Sequence, residues 1–208
     1  MFGLKPTPQR FWKWFVANED ELFDFEKDQE RVFNKLASKM RQIEPNLVFE
    51  FGPKTPTGRD FVVSASGIKS AFPAVTSLVG AAPKLDRWNI IAFRPRRSPI
   101  MQLELKGKKA DPESIQFSLI DNGENVGIIL FLPDYQEQDI TWREIGYLLL
   151  DEALGEFDVE TRVGPIRFFS RDNPVNEERF PLISLPEIFD RHILTLQRRN
   201  GIQPTQPN

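Results

Sequence analysis

Five carboxylates, Asp151, Glu152, Glu156, Asp158 and Glu160, crowd one stretch of this sequence. Paired carboxylates can act as general acid and base or hold Mg²⁺. The stretch follows an apolar run predicted to be helical. At 100° per residue Glu152 falls between Leu148 and Ile145, inside the apolar arc, while Asp151 lies nearer Glu144 on the polar side. A carboxylate drawn out of water needs a partner. Either Glu152 is ion-paired to an arginine of a sheet, or it is catalytic, with Glu156 as second candidate and a pKa raised by burial. The matching basic cluster is Arg94, Arg96 and Arg97 in FRPRRSP, followed by Lys106, Lys108 and Lys109. Guanidinium groups grip phosphate and carboxylate bidentately, so these three arginines are the best anion-binding candidates in the chain. Three readings stay open for them: a solvated surface, an internal ion-pair network, or contact with a ligand. Strict strand alternation puts Arg94 with Trp88, Ile90 and Ala92 on one face and leaves Arg96 and Arg97 freer to reach solvent.

Other chemistries are excluded by composition. With no Cys among 208 residues there are no thiol nucleophiles, disulfides, Fe–S clusters or Cys-based zinc sites, and a single His rules out multi-His metal centres. Neither G-x-G-x-x-G nor G-x-x-x-x-G-K-[ST] occurs, so the common nucleotide-phosphate motifs are absent. A Ser-His-Asp triad would have to use His192, which lies four residues from both Ile188 and Leu196 on a predicted helix and reads as the edge of its packed face. No metal and no cofactor are expected, and the balance leans away from an enzyme.

The elements that position these residues follow from period and punctuation. Thr7-Pro8 has the form of an N-cap and first-turn proline, opening a helix that carries Phe11, Trp12, Trp14 and Phe15. Neighbouring rings point about 100° apart, so one face cannot hold them all. Either the next helix folds over the rest, or Trp12 and Trp14 belong to a contact surface for a partner or a second subunit. Apolar residues from Leu22 to Ile43 at three-and-four spacing predict one long helix over 21–43. Strands are predicted at 47–51, 60–66, 88–95 and 100–106, with a helix over 69–82. SIQFSLIDNGENVGIILFLP reads as a hairpin turning at Asn122-Gly123. A helix over 139–154 should close at Gly155, followed by short strands at 157–162 and 166–169 and a last helix over 185–199.

The order strand, strand, helix, strand recurs over 47–94 and 115–162, which suggests a duplicated unit. The expected fold is α+β: one mainly antiparallel sheet with helices packed on one face. A single domain spans 1–199, with N-terminal helices over 8–43, a first half over 47–106 and a second over 114–199, and a flexible tail over 200–208. Charge is segregated: 19–30 carries −6, 84–109 carries +6 and 134–160 carries −8, within a net charge of −3. No run approaches the roughly 20 apolar residues of a membrane span, and the opening lacks a signal-peptide pattern, so a cytoplasmic location is expected. A sequence pI near 5.4 argues against dedicated nucleic-acid binding.

Phe11-Trp12-x-Trp14-Phe15 with Asn18-Glu19, Val63-Ser64-Ala65-x-Gly67, Ala82-Pro83 with Trp88, Ala92-Phe93-Arg94-Pro95-Arg96 and Leu150-Asp151-Glu152-Ala153-Leu154-Gly155-Glu156 resemble a family of bacterial proteins with a domain of unknown function. The resemblance covers residues 8 to 160 and implies a bacterial, cytoplasmic α+β protein, without catalytic residues to carry over. The functional expectation is a non-enzymatic interaction or regulatory module with a protein partner, or one that self-associates. The alternative is a carboxylate-dependent hydrolase or small-anion binder that uses Glu152 and Glu156 with Arg94 and Arg96.

Overall fold

Thr7 opens the first helix as its type predicts. In the computed structural model its side chain accepts a hydrogen bond from Arg10 N (3.4 Å), and Pro8 occupies the first turn of α1 (Pro8–Ala17). The structure describes residues 6–174 and 177–201. Where the sequence reading placed one domain over 1–199, the chain divides into two compact units, Met1–Arg94 and Pro95–Asn208.

In the first unit the helix expected over 21–43 is broken into α2 (Glu19–Phe23), a 3₁₀ turn (Phe25–Lys27) and α3 (Gln29–Arg41). The breaks fall at Asp24 and Asp28, whose backbones leave the helical region, as suits a residue type that favours caps over helix interiors. Phe25 thereby packs on Phe33 and Phe51, at centroid distances of 4.8 and 5.5 Å. Strands β1 (Val48–Phe51) and β2 (Arg59–Ser64) pair antiparallel, and β3 (Trp88–Ala92) joins β2 in parallel. A parallel neighbour requires a crossover. It is supplied by α4 (Phe72–Gly80), with Pro73 in its first turn. The core of this unit is mostly aromatic. Phe61 is 0% exposed and lies among Phe11, Trp12, Phe15, Phe49, Phe51 and Trp88.

In the second unit β4 (Leu103–Leu105) and β5 (Lys108–Ala110) form a hairpin through Lys106 and Gly107, both at positive φ. Strands β6 (Gln116–Asp121) and β7 (Val126–Leu132) form the predicted second hairpin. α5 (Ile140–Arg162) then leads to β8 (Val163–Ser170), parallel to β7. β9 (Phe180–Pro181) pairs with β6, giving the order β8-β7-β6-β9, and α6 (Leu185–Arg199) closes the fold with the predicted bounds. Every residue of β7 is buried, which fits a central strand covered on both faces.

Helices and small, mostly antiparallel sheets make this an α+β protein. Two expectations are corrected. The two halves do not share one sheet, because β1–β3 and β6–β9 form separate sheets. Residues 157–162 are helical, not a strand: Gly155 (φ 76°, ψ 155°) interrupts the helix where the sequence places its end, and a second helical segment follows directly to Arg162. The pairing scheme does recur, a hairpin followed by a helix and a third strand parallel to the second. No helix among the described residues is long and apolar enough to cross a membrane. Of the tail expected to be flexible, residues 202–208 lie outside the described residues.

The charge blocks are matched inside each unit. The acids of 19–30 meet Arg31, Lys35, Lys54, Arg59 and Arg87, and Lys106 and Lys108 meet Glu144 and Asp139. At the end of α6, Arg199 bridges to Asp121 at the hairpin turn (2.5 Å), and Gly123 N donates to the same carboxylate (2.9 Å). The Arg199 guanidinium first, and the Gly123 N–H second, hold the Asp121 carboxyl down at about 2. A folded-state pKa below the unfolded value means the contact is fully present above pH 3.8 and is lost as pH falls toward 2. An NMR titration of the Asp121 carboxyl is expected to give a midpoint near 2, returning toward 3.8 in Arg199→Gln. An unshifted midpoint in the wild type would remove the contact from the account.

Candidate functional site

The predicted Arg96–Arg97 and Glu152–Glu156 clusters meet in the second unit, and the contact explains both. A helix end leaves carbonyls without intrahelical partners, and the kink at Gly155 creates such an end inside α5. Arg96 Nε donates to Leu154 O (3.0 Å) and Arg97 N to Glu152 O (2.8 Å). The Arg96 guanidinium therefore sits at the negative end of a helix dipole, and the Arg97 main chain caps the same end. The Arg96 fork continues to Asp190 through two bonds of 2.8 Å and to Asp158 at 2.5 Å. Asp190 first, and Asp158 after it, raise the guanidinium pKa above its ordinary value, against the opposing effect of burial. Arg96 thus uses most of its five donors on the protein itself. A cavity of about 360 Å³ adjoins it, lined by Asp158, Arg162, Asp190, Ile193, Leu194 and Gln197, and the acids on its wall already neutralise the arginine.

The remaining candidates are placed as follows. Glu152 Oε1 pairs with Arg97 Nε at 2.9 Å, so the ion-paired reading holds, with an arginine from the 95–100 loop instead of a sheet. Its Oε2 is buried without a hydrogen-bond partner among the described residues. Glu156 is 1% exposed and engaged within the protein. Arg94 is ion-paired with Glu50. It does not extend the β3 alternation, because β3 ends at Ala92 and Phe93 turns the chain at φ 65°. Arg96, expected to reach solvent, is the networked one, while Arg97 is more than half exposed. Trp12 is a core residue: it is 3% exposed, and its indole N–H donates to Leu78 O at 2.8 Å. Trp14 is partly covered, with the Lys35 and Lys39 ammonium groups 5.8 and 5.7 Å from its ring. The aromatic helix is therefore covered mainly by the sheet and α4. His192 Nε2 is buried without a partner among the described residues, so no triad forms around it.

Sequence reasoning missed the larger cavity, of about 570 Å³, which lies beside β8. Arg143 and Tyr147 come from neighbouring turns of α5 at i and i+4, Tyr135 and Glu137 from the loop before it, and Ile166 to Ser170 from β8. Both tyrosines of the chain line it. Phe168 forms its aromatic bed, edge-on to Tyr147 at 5.3 Å and tilted to Tyr135 at 6.1 Å. Gly146 makes this geometry possible, since a Cβ there would run into the Phe168 ring. Arg143 and Arg167 are exposed and form no ion pair among the described residues, in contrast to Arg94, Arg96 and Arg97. The signal in sequence was Arg143 and Tyr147 four apart on the predicted helix; nothing in sequence placed β8 beside them.

Chemically, the cavity offers guanidinium donors and stacking surface. No group of three or more His, Cys, Asp or Glu among the described residues is arranged to hold a metal ion. Compared with protein-family models, curated proteins and solved structures, the chain matches none.

Proposed function

We propose that this protein is a non-enzymatic interaction or regulatory module that binds a protein partner through the second unit, at the cavity beside β8. One contrast carries the reading. The side chains with catalytic potential, Glu152, Glu156 and Arg96, are committed to the α5 kink or buried, whereas Arg143, Arg167, Tyr135 and Tyr147 line an open cavity. Exposed arginine and tyrosine around a concave surface are the residue types that anchor protein interfaces. A hydrolase or small-anion binder built on Glu152, Glu156, Arg94 and Arg96 is disfavoured, since Arg94 and Arg96 are already paired with Glu50, Asp158 and Asp190. A cytoplasmic setting belongs to the same proposal.

The test is a pull-down from lysate of the native host with wild type and an Arg143→Glu/Arg167→Glu variant, at low salt and at about 0.5 M salt, where exposed charges are screened. The expected result is a stoichiometric partner that is retained by the wild type at low salt and lost with high salt or with the variant. Identical capture by both proteins contradicts the reading. So does turnover of a substrate that Glu152→Gln abolishes without lowering the melting temperature.

A further inference from the structure

We infer that the partner segment is an extended, acidic peptide that adds to the sheet as a fifth strand along β8; this rests on the reading above. β8 is an edge, paired with β7 alone among the described residues. Its backbone direction is fixed by one bond, Arg171 N to Leu132 O at 2.9 Å. Peptide groups alternate sides along a strand, so those of Arg167 and Phe169 face β7 while those of Ile166 and Phe168 face outward. Natural edges are blunted with proline, bulges and charge. Here the proline and the bulge are confined to the start of β8, at Pro165 and opposite Gly127. The stretch from Ile166 to Ser170 is left open along about 16 Å of strand, and it forms the wall of the 570 Å³ cavity.

The occupant's chemistry follows from the two faces of that edge. Phe168 lies on the α5 side, against Gly146 and Tyr147, with Arg143 four residues before Tyr147 on the same helix. Alternation puts Arg167 on the opposite face with Phe169, which packs on Phe131. Arg143 and Arg167 therefore flank the edge from opposite faces, each without an acidic partner among the described residues. An added strand also alternates its side chains. It satisfies both arginines only if its two carboxylates have opposite parity, with an apolar or aromatic residue turned toward Tyr147 and Phe168. Glu137 on the cavity wall disfavours a further acid at its end. Main-chain bonds would supply affinity and the alternating pockets specificity.

The experiment is fluorescence anisotropy of the full chain against an array of labelled eight-residue peptides on a Thr/Val/Tyr background, with two Asp or Glu at every spacing. Peptides with odd spacing are expected to bind about ten-fold more tightly than those with even spacing. Arg143→Glu and Arg167→Glu are each expected to weaken binding about ten-fold with an unchanged melting temperature. N-methylation should abolish binding for one parity of amide and spare the other. No binding by any peptide, equal binding at both spacings, or full competition by millimolar inorganic phosphate would overturn the proposal. So would self-association of Arg167→Ala without peptide binding by the wild type, which would make Arg167 a guard against edge pairing. In any of these cases a partner still captured by wild type and lost from the double variant leaves the interaction reading standing. Identical capture by both sinks that reading instead.

Discussion

Phe61→Ala is expected to cost the first unit about 4 kcal/mol, because it combines lost burial with a cavity that rigid neighbours cannot fill. Phe61 is fully buried and within 6.5 Å, centroid to centroid, of six other aromatic rings, stacking on Phe15 at 5.2 Å and 8°. Those rings are held from several directions by α1, β1 and β3, so they collapse into the void poorly. Chemical unfolding followed by tryptophan emission reads the effect directly, since Trp12 and Trp88 both contact Phe61. Phe61→Leu keeps much of the volume and should lose less than half as much. A loss below about 1 kcal/mol for the alanine variant would show that this aromatic cluster does not hold the unit together.

Arg96→Ala is expected to destabilise the second unit by about 2 kcal/mol. The substitution uncaps Leu154 O at the α5 kink and leaves Asp158 and Asp190 without the fork that joins them. Breaking a fully buried pair costs about 3 to 5 kcal/mol, and the smaller figure reflects an arginine side chain that is 30% exposed. Arg96→Lys keeps the charge but cannot reproduce the fork, so it should recover about half of the loss. Thermal unfolding of the two variants separates the roles. Equal stability of Arg96→Ala and wild type would return Arg96 to the list of ligand-binding candidates.

The parts of the fold legible in the sequence were those fixed by local chemistry. Thr7-Pro8, the hairpin around Asn122-Gly123 and the helix over 185–199 each carry their own caps, turns and period. The helix over 21–43 was misread because its apolar spacing survives the interruptions at Asp24 and Asp28, which only the packing of Phe25 on Phe33 and Phe51 makes visible. Gly155 carries the positive φ its type predicts and ends one helical segment, but the second segment that follows it directly has no signal in the sequence. The role of Arg96 was not legible, since the Leu154 carbonyl it caps lacks an intrahelical partner only because of the kink at Gly155. The cavity was hidden for a similar reason: Tyr135, Tyr147 and Phe168 come from a loop, a helix and a strand, and the parallel pairing of β7 with β8 brings them together.

On the proposed reading β8 presents an open edge to a partner while the arginine cluster at 96–97 serves the fold. Amide hydrogen exchange measured residue by residue along β8 separates the two roles. In the chain alone, Ile166 and Phe168 are expected to exchange far faster than Arg167 and Phe169, whose N–H groups face β7. Adding the best acidic peptide is expected to protect Ile166 and Phe168 and to leave the amides of 96–97 unchanged. Uniform protection along β8 in the chain alone, or protection that appears at 96–97 and not at Ile166 and Phe168, would contradict it.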